Sequence, residues 1–91
     1  MKFICPTLGE DDERDFLVTG SLKDFKIIVF SNIDEYEKGI DYIELTDYQT
    51  TEVSINLFKE LSKNDNEFNG VIFNPHNENR FISKKELLNK F

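Results

Sequence analysis

Two nearly uninterrupted apolar runs along the chain predict the central strands of a β-sheet. In the run Phe25–Phe30 every residue after Lys26 is apolar, and Val71–Phe73 is a second such run. A strand that is buried on both faces has a continuous apolar sequence, whereas a half-exposed strand alternates. Both runs are therefore expected inside the sheet, and Pro75 should end the second because proline donates no ladder hydrogen bond.

Shorter segments of strand-like composition should complete the sheet. They are Phe3–Cys5, Asp15–Thr19, Tyr42–Leu45 and Phe81-Ile82. Pro6 should stop the first of them, and the turn signal Gly20-Ser21 should join the second to the apolar run after it as a β-hairpin. In the third, Ile43 and Leu45 share one face, and the fourth should return beside the second central strand.

Helical patterns occur in three places. Ser31 can cap a short helix that Gly39 ends, with Ile33 and Tyr36 on the face that meets the sheet. The best helix begins after Ser54, and Ile55–Lys63 carries an apolar stripe made of Ile55, Leu57, Phe58 and Leu61.

A third helix should open at Ser83, which forms a capping box with Glu86 and precedes Leu87, Leu88 and Phe91. Asn69-Gly70 should separate the middle helix from the second central strand. These elements predict an α+β fold, with a mostly antiparallel or mixed sheet of about five strands and two or three short helices packed on it. A length of 91 residues predicts one domain over 1–91.

The composition of the chain indicates the cellular compartment in which the protein is expected. The lone Cys5 cannot form an internal disulfide and reads as a buried thiol at a strand end. The chain has no run of about 20 apolar residues, and its first residues lack the apolar region of a secretion signal. A cytoplasmic location with no membrane association is therefore expected.

The net charge of -7 is concentrated in one part of the chain. Residues 1–52 carry 13 acidic against 5 basic residues, a net -8, whereas residues 53–91 carry a net +1. Such a field repels nucleic acid and anionic membrane, and it favours encounters with a basic protein. Solubility alone is the other interpretation of this charge.

Two acidic regions are the candidate partner-binding site. The first is a polar loop after Gly9, and the second combines carboxylates with tyrosines, which are enriched at protein interfaces. The residues are Glu10, Asp11, Asp12, Glu13, Asp34, Tyr36, Glu37, Asp41, Tyr42, Glu44, Asp47 and Tyr48.

Counting residues argues against catalysis. His76 is the only histidine, which leaves no zinc site and no histidine pair, and it is expected on a surface turn. The first acidic loop lacks the spacing of a calcium loop, and the glycines are too scattered to form a phosphate-binding loop. We therefore predict no catalytic residues, no metal and no cofactor, and Asn74-Pro75 is assigned to turn structure.

The order of the motifs resembles the SseB N-terminal domain family. The segments that carry the resemblance are Ile4-Cys5-Pro6-Thr7, residues 25–36, residues 53–61, Gly70-Val71-Ile72-Phe73-Asn74-Pro75 and Lys85-Glu86-Leu87-Leu88. Family members often continue into a second region, whereas this chain stops after the last predicted helix. The resemblance implies a bacterial, cytosolic, non-enzymatic module, and it supplies no catalytic residues.

Two functions of different classes follow. The first is a protein-interaction module, such as a small acidic inhibitor or immunity-type binder of a basic partner protein. The alternative is an acidic mimic of nucleic acid that blocks a nucleic-acid-binding enzyme. An enzyme would need a ligand-sized pocket, and a homodimer could form by strand addition at Phe3–Cys5 or Phe81-Ile82.

Overall fold

The computed structural model describes residues 2–8, 15–21, 23–42 and 48–90, which form an α+β fold. The elements are β1 (Lys2–Leu8), β2 (Asp15–Phe16), β3 (Val18–Ser21), β4 (Asp24–Val29), α1 (Ile33–Tyr42), β5 (Gln49–Ser54), α2 (Ile55–Asn64), β6 (Phe68–Phe73), β7 (Arg80–Ser83) and α3 (Lys84–Lys90). The predicted fold class is confirmed, although seven strands, more than the expected five, lie in the described residues.

The strands form two sheets that meet through one bridge. One sheet has the antiparallel order β2-β1-β5, and the other has the order β3-β4-β6-β7, in which only β4 and β6 are parallel. Ile4 and Phe30 exchange backbone hydrogen bonds of 2.9 and 2.8 Å between the sheets. The bridge makes β1 a neighbour of β4, so the sheets share a boundary.

Strand β4 supplies both hydrophobic cores. Successive side chains of a strand point to opposite faces. Ile27 and Val29 therefore pack in the cluster that includes residues of α2 and α3, while Ile28 of β4 and Phe30, which directly follows the strand, pack in the cluster that includes residues of α1. The prediction that this strand is buried on both faces is confirmed.

The predicted strand Asp15–Thr19 is divided because the chain changes sheets within it. The N–H of Leu17 donates to the carbonyl of Pro6 in β1, and the carbonyl of Leu17 accepts from Ile28 in β4. The predicted hairpin is confirmed as the β3–β4 pair, but Gly20 and Ser21 belong to the strand and pair with Phe25 and Asp24.

The expectation that Pro6 ends the first strand was wrong. Pro6 lies within β1, opposite Thr50 of β5, and its carbonyl accepts from Leu17 on the other side of the strand. Because the N and O of one residue in an antiparallel ladder point the same way, the missing N–H removes no β1–β5 hydrogen bond. Phe3–Cys5 is therefore paired along β5 and bridged to Phe30, and it is not a free edge.

Two other boundaries differ from the predictions. Gln49–Ser54 forms β5, whereas the predicted strand Tyr42–Leu45 begins at the last residue of α1 and otherwise lies outside the described residues. Asn69-Gly70 was expected to separate the middle helix from the second central strand, but α2 already ends at Asn64 and β6 begins at Phe68, so the pair lies within the strand. Gly70 has φ of 121°, and an added Cβ would overlap the carbonyl oxygen of Ile82, so glycine lets β7 approach.

The helix boundaries follow their caps. Asn32, and not Ser31, caps α1, because its Oδ1 accepts from the N–H of Glu35 at 2.9 Å. The predicted caps of the other helices are observed, since the N–H of Asn56 donates to Ser54 and the N–H of Glu86 donates to Ser83, each at 3.2 Å. In the part of the chain that is described, no helix is long and apolar enough to cross a bilayer.

Gly39 lies inside α1 and does not end it. A Cβ at this position would overlap the buried Phe30 ring, whose Cζ would be 2.8 Å away. Ile33, which was expected to face the sheet, is 47% exposed, whereas Tyr36 and Ile40 pack in the core cluster with Phe30. The helix is therefore rotated relative to the prediction, and its closest approach is at glycine.

Gly39→Ala should lower the free energy of unfolding by up to about 2 kcal/mol. Alanine favours a helix by about 1 kcal/mol over glycine, but overpacking a filled core costs about 1–3 kcal/mol, and the buried Phe30 ring has little room to move. Urea denaturation of this variant, with Glu37→Ala on the exposed side of the same helix as the control, measures the difference. A more stable Gly39→Ala variant would contradict the close packing.

Cys5 should be unreactive in the folded protein. The side chain is fully buried in the middle of β1, and burial raises the pKa of its thiol from 9.0 to about 12, so almost no thiolate exists near neutral pH. We expect labelling by a disulfide reagent to be at least 100-fold slower in buffer than in urea. A Thr19→Cys substitution on the exposed strand β3 should react rapidly in both, and equal rates at the two cysteines would contradict the burial.

Candidate functional site

Three predicted carboxylates lie together on the exposed side of helix α1. Asp34, Glu37 and Asp41 are spaced three and four residues apart, which places them on one helix face, and all three are exposed. They line a shallow depression together with Lys38. We call these four residues the α1 acidic face.

The opposite side of α1 is fixed against the core. Tyr36 is 9% exposed, and its ring meets Phe30 edge-on, with centroids 5.5 Å apart. Desolvation by burial raises the pKa of the Tyr36 hydroxyl. Tyr36 thus faces the sheet, as its spacing predicted, and its inclusion in the partner-binding patch was wrong because helical spacing turns it away from Asp34 and Glu37.

A buried histidine clamps α1 to the turn between β6 and β7. His76 Nε2 lies 2.8 Å from Glu35 Oε2, the His76 side chain is only 7% exposed, and its ring centroid is 5.7 Å from that of Phe30. Its Nδ1 is buried without a hydrogen-bond partner, and an added Cβ at Gly39 would lie 3.1 Å from it. His76 was expected as a surface residue of this turn, but only the following residues 77–79 are exposed, whereas the His76 side chain packs against Phe30.

Asn74 is the second link between the turn and α1. Its Oδ1 accepts from the N–H of Ser31 at 3.0 Å, and its Nδ2 donates to Ser31 Oγ and Glu78 Oε1, each at 3.1 Å. The backbone N–H of Asn74 also donates to the carbonyl of Val29 at 2.8 Å. Asn74 is fully buried, so its structural assignment is supported, and it joins the end of β4 to the end of β6.

The remaining predicted residues are placed as follows. Tyr42 is the last residue of α1, and Tyr48 is half-buried and precedes β5. Glu10, Asp11, Asp12, Glu13, Glu44 and Asp47 lie outside the described residues. Of the predicted set, the structure therefore brings Asp34, Glu37 and Asp41 together.

Sequence reasoning missed three contributors to this site. Lys38 stands four residues after Asp34 and lies within the acidic face, and helical spacing alone could have shown this. Glu35 and His76 are 41 residues apart in the chain, so no local pattern could have paired them. Lys38 reduces the net negative charge of the α1 acidic face. The Glu35–His76 pair holds helix α1, which carries this face, in place.

The exposed carboxylates of the α1 acidic face are arranged so that they can contact a positively charged surface. Among residues 2–8, 15–21, 23–42 and 48–90, no group of three or more His, Cys, Asp and Glu side chains is placed to hold a metal ion. In the Glu35–His76 pair, the imidazole of His76 packs against Phe30 and Gly39. Exposed carboxylates on a firmly held helix can attract and orient a cationic surface.

Asn74→Ala should destabilise the fold by about 2 kcal/mol more than Asn79→Ala. Both residues have a positive φ, 45° and 47°, so alanine meets a similar backbone cost at each. Only the Asn74 substitution leaves the N–H of Ser31 without its side-chain acceptor, a loss of about 1–3 kcal/mol for a buried group. Chemical denaturation of the two variants gives the comparison, and equal losses would contradict the linking role of Asn74.

Comparison of the chain with protein-family models, with curated proteins and with solved structures finds no match in any of the three. The resemblance to the SseB N-terminal domain family therefore stays a prediction.

Proposed function

We propose that this protein is a non-enzymatic interaction module that binds a basic surface of another protein through the α1 acidic face. The observation that supports this most directly is the exposure of Asp34, Glu37 and Asp41 on one side of a helix whose other side is locked in the core. The role would be that of a small inhibitor or immunity-type binder in the bacterial cytoplasm. The motif order of the SseB N-terminal domain family fits the same proposal.

The charge of the α1 acidic face would raise the association rate and the selectivity of binding more than the affinity. An exposed ion pair contributes about 0.2–1 kcal/mol, so three pairs supply at most about 3 kcal/mol, whereas a micromolar complex needs about 8 kcal/mol. Apolar contact must supply the rest. Ile33 precedes Asp34 and is 47% exposed, so it offers an apolar anchor beside the carboxylates.

The nucleic-acid mimic is the weaker alternative. A helix rises about 1.5 Å per residue, so the steps from Asp34 to Glu37 and from Glu37 to Asp41 are about 4.5 and 6 Å along its axis. Successive phosphates of one DNA strand are about 3.4 Å apart along the duplex axis, so the spacings are of the same order. However, Lys38 lies within the same face and interrupts the row of negative charge. A protein partner with mixed charge fits this pattern better.

Self-association by strand addition is a separate proposal. Strand β7 is an edge of its sheet, and Phe81 on it is 42% exposed with Lys26 Nζ 5.4 Å from the ring centroid. Its four residues make a short edge, which limits the number of hydrogen bonds that a second copy could add.

Reversal of the α1 acidic face should abolish partner capture. We would compare the tagged protein, the variant Asp34→Lys/Glu37→Lys/Asp41→Lys, and the control Asp24→Lys/Glu52→Lys/Glu60→Lys, which makes the same change in net charge at exposed positions on other elements. Captures from nuclease-treated lysate of the source organism would be quantified by mass spectrometry. We expect a basic protein to be retained by the native protein and the control and reduced at least 10-fold in the α1 variant.

Two outcomes would count against the proposal. Equal retention by the α1 variant would remove this face as the binding surface. Release of the captured protein by added DNA or RNA would favour the nucleic-acid mimic, because mimicry requires competition for one site.

A further inference from the structure

A second surface lies on the opposite side of the β3-β4-β6-β7 sheet from helix α1. It is an apolar cleft of about 730 Å³, whose apolar lining consists of Phe16, Val18, Phe25, Ile27, Leu57 and Leu61. Ile27 and Ile28 are successive residues of β4, so they point to opposite faces, and Ile28 belongs to the cluster that holds α1. The cleft therefore shares no surface with the α1 acidic face.

The cleft exists because the helices cover only part of this side of the sheet. Helices α2 and α3 pack on each other, and both contact β6, whereas α3 also contacts β7. All residues of β3, at the other end of the sheet, are exposed, including Val18 at 43%. Leu57 on the wall formed by α2 is 37% exposed, so apolar side chains on both walls are available for contact.

The charge at the rim indicates what would occupy the cleft. Among the residues that the structure describes, the charged side chains that line the cleft are those of Asp15 and Glu67, which are both exposed. An apolar floor between carboxylates complements a segment that combines apolar side chains with positive charge.

We propose that this cleft binds an apolar peptide segment that carries Lys or Arg beside its apolar anchors. Its volume lies within the roughly 300–1,000 Å³ of ordinary binding pockets, which is room for a few side chains. The apolar walls would bury the anchors, and Asp15 and Glu67 would select basic over acidic segments. The inference does not depend on the α1 acidic face, because the two surfaces lie on opposite sides of the sheet.

The test is a titration with two defined peptides. A fluorescein-labelled peptide of sequence Lys-Leu-Leu-Lys-Leu-Leu-Lys and its counterpart with Glu in place of Lys would be titrated against the whole protein by fluorescence anisotropy. We expect the basic peptide to bind at least 10-fold more tightly. Equal affinity for the two peptides, or no binding of either, would overturn the proposal.

A pair of matched substitutions locates the binding. Leu57→Lys places a positive charge on the cleft wall, whereas Leu88→Lys changes a residue of similar exposure on α3 that lies outside the cleft. Leu57→Lys should weaken binding of the basic peptide at least 10-fold, and Leu88→Lys should change it less than 2-fold. If Leu57→Lys fails to fold, Val18→Lys on the opposite wall replaces it, because that residue lies on an exposed edge strand.

Further outcomes separate this proposal from that for the α1 acidic face. Loss of peptide binding in the variant Asp34→Lys/Glu37→Lys/Asp41→Lys, with none in Leu57→Lys, would overturn the cleft and leave the α1 acidic face as the basic-binding surface. Self-association of the native protein that Leu57→Lys abolishes in sedimentation would also overturn it, since a second copy would then occupy the cleft. Amide chemical-shift changes on adding the basic peptide that are centred on the lining residues of β2, β3, β4 and α2 and that spare α1 would support it.

Discussion

Phe30 is the residue on which the described part of the fold depends most. It follows β4 immediately, is fully buried, and exchanges backbone hydrogen bonds with Ile4 that join the two sheets. Its ring contacts Tyr36 of α1 and His76 of the β6–β7 turn and fills the space left by Gly39. An aromatic ring of this size buries about 150–250 Å². Both sheets, one helix and one turn thus meet at one side chain.

Polar contacts, in addition to the packing of Phe30, fix the orientation of helix α1. Hydrophobic burial is non-directional, so the Phe30 ring alone would not set the rotation of α1. Glu35, bonded to His76, and Asn74, bonded to Ser31, hold the start of the helix at two positions. Because both links are largely buried, breaking either would leave polar groups without partners. This determines which carboxylates of α1 face outward.

The two proposed binding surfaces differ in physical character. The α1 acidic face is open to solvent, where charges are screened beyond about 8 Å at physiological salt, so a partner there would be attracted at short range and mainly through its association rate. The cleft is apolar and partly enclosed, so a segment bound there would remove apolar surface from water and dissociate more slowly. One strand, β4, separates them, because its alternate side chains build the two sides of the sheet.

The sequence by itself determined the elements whose signals are local. The apolar run in β4, the Ser54 and Ser83 caps and the return of β7 after Pro75 all depend on neighbouring residues, and the structure contains each of them. Asp34 and Glu37 lay within the predicted first helix, but Asp41 lay beyond its predicted end at Gly39, and only the longer helix α1 of the structure places it on the same face.

Only the tertiary structure decided the features that depend on distant partners. Pro6 continues β1 because its missing N–H faces away from β5, and Gly39 continues α1 because the Phe30 ring lies against it. Ile33 is exposed although it was predicted to face the sheet, and His76 bonds to Glu35, for reasons that no local pattern contains. The cleft likewise arises from which part of a sheet two helices leave uncovered. Local propensity can specify an element, but the free energy that rotates it, buries it or exposes it comes from residues far away in the chain.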